Sequence, residues 1–148
     1  MLSFRTAAGL ALALLVAAPA AASPSLIVDV RTGEVISAEE ATRPWNPAST
    51  TKMMTAIVVM ERANLDDVAV VPAVATGAGG STASLVPGER LSIRNLMTGL
   101  MIGSGNDAAI ALARNVGGGS IPRFVEYMNL EAQTMGLVNT RFANPSTP

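Results

Sequence analysis

Pro47-Ala48-Ser49-Thr50-Thr51-Lys52-Met53-Met54-Thr55-Ala56 is the stretch on which the reading of this 148-residue chain turns. Ser49 stands three residues before the only lysine, Lys52, at the expected first turn of an apolar helix. Residues i and i+3 share one helical face, so the hydroxyl and the amine can meet. A serine hydroxyl becomes a useful nucleophile only when a neighbouring base takes its proton. The chain contains no histidine and no cysteine, which removes the usual base and the usual alternative nucleophile. Nucleophilic chemistry would therefore fall to Ser49 with Lys52.

Working outward, Met53 to Met60 is apolar on nearly every side, which predicts a helix buried within a domain, with Ser49 at its exposed mouth. The helix N-terminus favours negative charge there by about 0.3–1 kcal/mol, enough to assist a base and too little to replace one. Glu61 to Asp67 is polar and ends the helix. On the N-terminal side, Ser25 to Arg31 and Glu34 to Ser37 are strand-like runs across Thr32-Gly33, a hairpin pattern. Glu39 to Asn46 reads as a loop, with Trp45 as a partly buried anchor.

On the C-terminal side, Val68 to Pro72 is a short strand, and Thr76 to Thr82 a Gly-rich loop. Ser84-Leu85-Val86, the turn Pro87-Gly88-Glu89 and Arg90-Leu91 suggest a second hairpin. Ser92 caps a helix carrying Ile93, Leu96, Met97, Leu100 and Met101 on one face, which stops at Gly103-Ser104-Gly105. Asn106 or Asp107 opens an alanine-rich helix closed by Gly117-Gly118-Gly119, with Asp107 capping or charging its start. Ser120 caps a further helix with Pro122 in its first turn and an apolar stripe of Ile121, Phe124, Val125, Met128, Ala132 and Met135. Asn139 to Pro145 reads as an ordered loop.

The first residues read separately. Arg5 precedes the apolar run Ala7 to Ala18, and Ala20-Ala21-Ala22 offers small residues for cleavage. Residues 1–22 are thus expected to be a secretory signal peptide, the alternative being an uncleaved membrane anchor. Residues 23–148 would then form one small domain outside the cytoplasm. A net charge of -1 with 3% aromatics leaves no electrostatic footprint for nucleic acid. Without cysteine or histidine, neither a disulfide scaffold nor a zinc site is expected. Neither Gly103-Ser104-Gly105 nor Gly117-Gly118-Gly119 completes a nucleotide-binding fingerprint.

Ser-x-x-Lys alone is a weak signal, and coincidence on a helix end explains it equally well. A second element raises its value: Ser104-Gly105-Asn106 lies in a loop between two apolar helices, where a hydroxyl and a carboxamide could face Ser49 across a cleft. Ser-x-x-Lys with such a Ser-x-Asn element is an established signature of penicillin-binding proteins and β-lactamases. The chain resembles the serine-type D-alanyl-D-alanine carboxypeptidases, the low-molecular-mass penicillin-binding proteins. The resemblance runs through Asp29 to Val35, Pro47 to Ala56, Gly88-Glu89, Leu96 to Ala109, Phe124 to Asn129 and Gly136 to Pro145.

That resemblance implies an α+β fold of the β-lactamase/penicillin-binding-protein transpeptidase type, here incomplete: a helical subdomain plus N-terminal sheet strands, with later strands missing. It implies Ser49 as nucleophile, Lys52 as general base, Ser104 as proton shuttle and Asn106 as a substrate-binding residue, with no metal and no cofactor. The implied substrate is the D-Ala-D-Ala end of a peptidoglycan stem peptide, with β-lactam antibiotics as covalent inhibitors and the periplasm or cell envelope as location. Association with the inner membrane surface is compatible with it. The third family motif, Lys-Thr-Gly, is absent because the only lysine is Lys52. Arg31-Thr32-Gly33 is chemically similar but reads as a plain turn. These residues alone are therefore expected to form the N-terminal part of a catalytic domain with little activity by themselves. A β-lactamase lacks its usual Glu-x-x-Leu-Asn element here, since Glu126 is followed by Tyr127, Met128, Asn129 and Leu130. A non-catalytic exported module that binds peptidoglycan is the other alternative.

Overall fold

The computed structural model describes residues 23–146, which divide into one unit ending at Arg43 and a second beginning at Pro44. The expected signal peptide lies outside the described residues. In the first unit, β1 (Ser25–Val28) and β2 (Val35–Glu39) form an antiparallel hairpin. Ser25 pairs with Glu39, and a bulge follows Ile27. The Asp29 carboxylate accepts the Thr32 and Arg31 backbone N–H groups at 3.0 and 2.8 Å, bonds that hold its pKa below the ordinary carboxylate value. Gly33 closes the turn at φ +75°, where a side chain would be strained. Arg31-Thr32-Gly33 is thus a turn.

The second unit is built on four helices. α1 (Thr51–Arg62) packs against α2 (Ile93–Met101), α3 (Asn106–Val116) and α4 (Ile121–Thr134). Their apolar stripes meet in a core that fully buries Val58, Val59, Leu96, Leu100, Leu112 and Phe124. Burying such side chains stabilises a fold by about 1.5–3 kcal/mol each. α1 is not buried all round, as its sequence suggested: Met53 and Met60 lie on an exposed strip (58% and 64%). Seven residues apart, they share the one face that the other three helices leave uncovered. Met135, expected in the α4 stripe, is likewise half-exposed beyond the last helical turn, and so is Trp45.

The caps follow the sequence. Ser92 Oγ accepts the Asn95 N–H at 3.2 Å, and Ser120 Oγ accepts the Arg123 N–H at 3.3 Å. β3 (Val68–Val70) and β4 (Arg90–Ser92) form an antiparallel pair, Val68 opposite Ser92. The partner of Arg90-Leu91 is therefore β3 and not Ser84-Leu85-Val86. The latter segment is withdrawn from pairing: Ser84 takes φ +58°, and the Leu85 N–H is held by the Asp107 carboxylate.

After α4, the tail returns across α1. Asn129 exchanges two hydrogen bonds with the Phe142 backbone at 2.8 and 2.9 Å. The buried Thr55 hydroxyl donates to the Pro145 carbonyl at 2.6 Å. Asn139 to Pro145 is accordingly an ordered strap, as expected.

Candidate active site

Three local devices place Ser49 ahead of α1. Asn46 Oδ1 accepts the Ala48 N–H at 3.1 Å, Ala48 adopts φ +47°, and Ala48–Thr50 winds as a single 3-10 turn that runs into α1. Ser49 therefore stands at the head of a helix, where backbone N–H groups lack intrahelical acceptors and the local field favours negative charge.

Lys52, one turn on, is 3% exposed, and its Nζ has no hydrogen-bond partner among the described residues. Burial without an anionic neighbour penalises the ammonium form, so the Lys52 pKa is pushed below the ordinary lysine value. That is the direction a general base needs.

Ser104 comes from the turn between α2 and α3 at φ +51°, a conformation uncommon for any residue but glycine. The Gly105 N–H donates to the Gly99 carbonyl at 3.1 Å and closes this turn onto α2. The result is a hydrogen bond from Ser104 Oγ to Ser49 Oγ at 3.2 Å. Ser49, Lys52 and Ser104 line one cavity of about 270 Å³, walled by Met53, Leu100 and Met101. A hydroxyl with a second hydroxyl beside it and a desolvated amine in the same recess is equipped for acyl transfer.

Asn106 is placed differently. It is buried at the first turn of α3, its Nδ2 donates to the Gly79 carbonyl at 2.6 Å, and it is not among the residues lining that cavity. The structure thus brings Ser49, Lys52 and Ser104 onto one cavity, and Asn106 is not among the residues that line it. Sequence reasoning also undervalued Asp107, whose buried carboxylate accepts N–H groups from Ala83, Leu85 and Ala108. The helix-start position foretold the Ala108 bond; partners 22 and 24 residues upstream carry no sequence signature. Among the described residues, no group of three His, Cys, Asp or Glu side chains is arranged to hold a metal ion.

A helix-head serine, a buried lysine one turn on and a second serine from an inter-helix turn match the Ser-x-x-Lys and Ser-x-Asn elements of the penicillin-recognising class. Residues 14–147 match the family model described as D-alanyl-D-alanine carboxypeptidase, and the chain belongs to that family. It is 35% identical over 130 residues to the D-alanyl-D-alanine carboxypeptidase DacF of Bacillus subtilis, covering 84% of this chain and 33% of that protein. With DacD of Escherichia coli the identity is 38% over 128 residues, 79% of this chain and 33% of the relative. The crystal structure of DacD from Francisella tularensis superposes with a TM-score of 0.78 at 38% identity, covering 83% of this chain and 31% of that one. For the D-alanyl-D-alanine carboxypeptidase of Mycobacterium tuberculosis the TM-score is 0.76 at 31% identity, with coverage of 82% and 45%. The fold is therefore that of the penicillin-binding-protein peptidases in part: the chain spans about a third of the length of the curated relatives it matches.

Proposed function

We propose that this chain carries the nucleophile-bearing part of a serine-type D-alanyl-D-alanine carboxypeptidase, acting on the D-Ala-D-Ala end of peptidoglycan stem peptides and acylated by β-lactams. The observation that carries the reading is the 3.2 Å contact between the Ser49 and Ser104 hydroxyls inside the recess that Lys52 also lines. Lys52, neutral when the reaction begins, takes the Ser49 proton as Ser49 Oγ bonds to the carbonyl carbon between the two D-alanines. The tetrahedral oxyanion is stabilised by N–H donors at the helix head, the Ser49 amide among them. Collapse breaks the carbon–nitrogen bond; the proton passes from Lys52 through the Ser104 hydroxyl to the leaving amine, and D-alanine departs. Water then attacks the acyl-enzyme ester carbonyl and loses a proton to Lys52; the carbon–oxygen bond to Ser49 breaks, Lys52 returns the proton to Ser49 Oγ, and the shortened peptide leaves.

Asn106 enters this reading as the residue that positions the substrate amide. Its Nδ2 is engaged by Gly79, so contact through that nitrogen shares or replaces the existing bond. Lys52 being the only lysine, a Lys-Thr-Gly element for the substrate carboxylate is not part of these residues. Residues 1–22 act as a signal peptide cleaved after Ala22, which delivers the protein to the periplasm or cell envelope, where its substrate resides. N-terminal sequencing of the mature protein should begin at Ser23.

The deciding experiment is incubation of the protein with a fluorescent penicillin followed by denaturing electrophoresis. Covalent label that disappears in Ser49→Ala supports the reading. Absence of label, or label that survives Ser49→Ala, overturns it.

A further inference from the structure

The Ser104 turn is strained, and strain of this sort persists only where the surroundings over-determine it. The left-handed region is unfavourable for any residue but glycine, so something must hold φ at +51°. One support is the Gly105 N–H bond to Gly99 on α2. The other comes from the opposite side, where residues 79–85 lie across the start of α3. Asp107, only 2% exposed, accepts the Ala83 N–H at 2.8 Å on Oδ1 and the Leu85 N–H at 3.0 Å on Oδ2. Oδ1 also accepts the Ala108 N–H at 2.8 Å. Next to it, Ser81 O accepts the Asn106 N–H at 2.8 Å, and Gly79 O accepts from Asn106 Nδ2. This clamp closes directly on Gly105: a Cβ there would fall 2.8 Å from Asp107 Oδ1 and 3.0 Å from Ala83 N. A carboxylate buried so deeply is retained only when well hydrogen-bonded, and the bonds to Ala83 and Leu85 hold residues 83–85 against the residue that follows Ser104.

We propose that Asp107 is a positioning residue: by clamping Ala83 and Leu85 over Gly105 it holds Ser104 in the left-handed conformation that brings its hydroxyl within 3.2 Å of Ser49. The proposal rests on the reading of Ser49 and Ser104 as a reacting pair, and it assigns Asp107 no contact with substrate. Its action is through Ser104 alone.

A double-mutant cycle separates this role from a general effect on folding. Acylation by a fluorescent penicillin is followed for the unmodified protein, Asp107→Asn, Ser104→Ala and the double variant, each at saturating and sub-saturating penicillin. Asp107→Asn should slow the saturated acylation step about tenfold or more, the scale expected when a catalytic group is misplaced, with penicillin affinity changed less than about twofold. In the Ser104→Ala background the same change should add less than about twofold. Equal fold losses in both backgrounds, or a loss confined to affinity, overturn the proposal. If Asp107→Asn does not fold, Asp107→Glu, which keeps the charge and both acceptor oxygens, enters the same cycle with the same criteria.

Hydrogen exchange of the unmodified protein gives a second, independent reading. The amides of Ala83 and Leu85, both held by Asp107, should show one common protection factor, as a single opening unit. Unrelated protection factors overturn the clamp. If no acylation occurs, the enzyme reading has failed, and the exchange rates still decide whether the clamp exists.

Discussion

The hydroxyl of Ser104 donates to the hydroxyl of Ser49 across 55 positions of sequence, at 3.2 Å. Neither residue reaches this point without a left-handed neighbour or a left-handed backbone of its own: Ala48 at φ +47° beside Ser49, and Ser104 itself. Two of the four left-handed non-glycine residues among those described thus converge on one recess, where strained backbone is the usual companion of function. Ser104→Ala should retain the fold and lower the acylation rate about 100-fold, the scale of a lost proton-transfer group. Stopped-flow mixing with a chromogenic penicillin reads the rate.

Lys52 should make stability depend on pH. Its folded pKa lies below the ordinary lysine value of 10.5. Below the folded pKa the amine is charged in both states, and the fold bears the whole desolvation penalty. Between the folded pKa and the unfolded one, only the unfolded chain keeps the proton, so stability rises with pH through that window and levels off above it. Lys52→Met should abolish this rise and stabilise the protein at neutral pH by about 1–3 kcal/mol, because it removes a buried polar group without a partner. Urea denaturation at neutral and alkaline pH tests both parts.

The same lysine is expected to govern chemistry. Lys52→Arg should abolish acylation, since a guanidinium stays protonated. Acylation of the unmodified protein should rise with pH, with its inflection below 10.5. Labelling by a fluorescent penicillin across pH reads both.

Thr55→Val should destabilise the second unit by about 1–3 kcal/mol, because the Pro145 carbonyl loses the Thr55 hydroxyl as a donor in a buried setting. The loss should localise: proteolysis should cut the strap at 141–146 earlier than any helix. Uniform sensitivity along the chain would contradict the tether.

Two glycines should respond oppositely to alanine. At Gly117 a Cβ would fall 2.2 Å from the Ser120 carbonyl, a backbone atom that cannot step aside, so Gly117→Ala should cost about 3 kcal/mol or more. At Gly77 nothing lies within 4 Å, and the backbone there is not left-handed. Gly77→Ala should therefore be neutral or stabilising by about 0.4–1 kcal/mol. Thermal melts of the two variants give the comparison.

What was legible in the sequence was what is local. Ser92 and Ser120 announced their helices because a cap bonds within three residues, and the stripe of Leu96 and Leu100 announced its face because helical spacing repeats. The pairing of β4 was misread because proximity along the chain favours Ser84-Leu85-Val86, whereas Asp107 had already claimed the Leu85 amide. Of the candidate site, the spacing of Ser49 and Lys52 was a weak signal by itself and gained weight only from the Ser104 element between two helices and from the family resemblance. The structure puts all three residues on one cavity. The burial of Asn106 beneath residues 79–81 was not legible, because a carboxamide at a helix start reads alike whether it faces a cleft or a loop. The exposure of Met53 and Met60 was hidden for a related reason: an all-apolar helix does not reveal which face its neighbours leave open.

The buried, unaccompanied amine of Lys52 has an evolutionary and practical consequence. A protein library ranked only by heat resistance would enrich aliphatic replacements at position 52, since each relieves an electrostatic burden in the interior. On the proposed mechanism the winners of such a screen would be sturdier and catalytically mute, so a stabilisation campaign on this scaffold should select for penicillin capture in the same round.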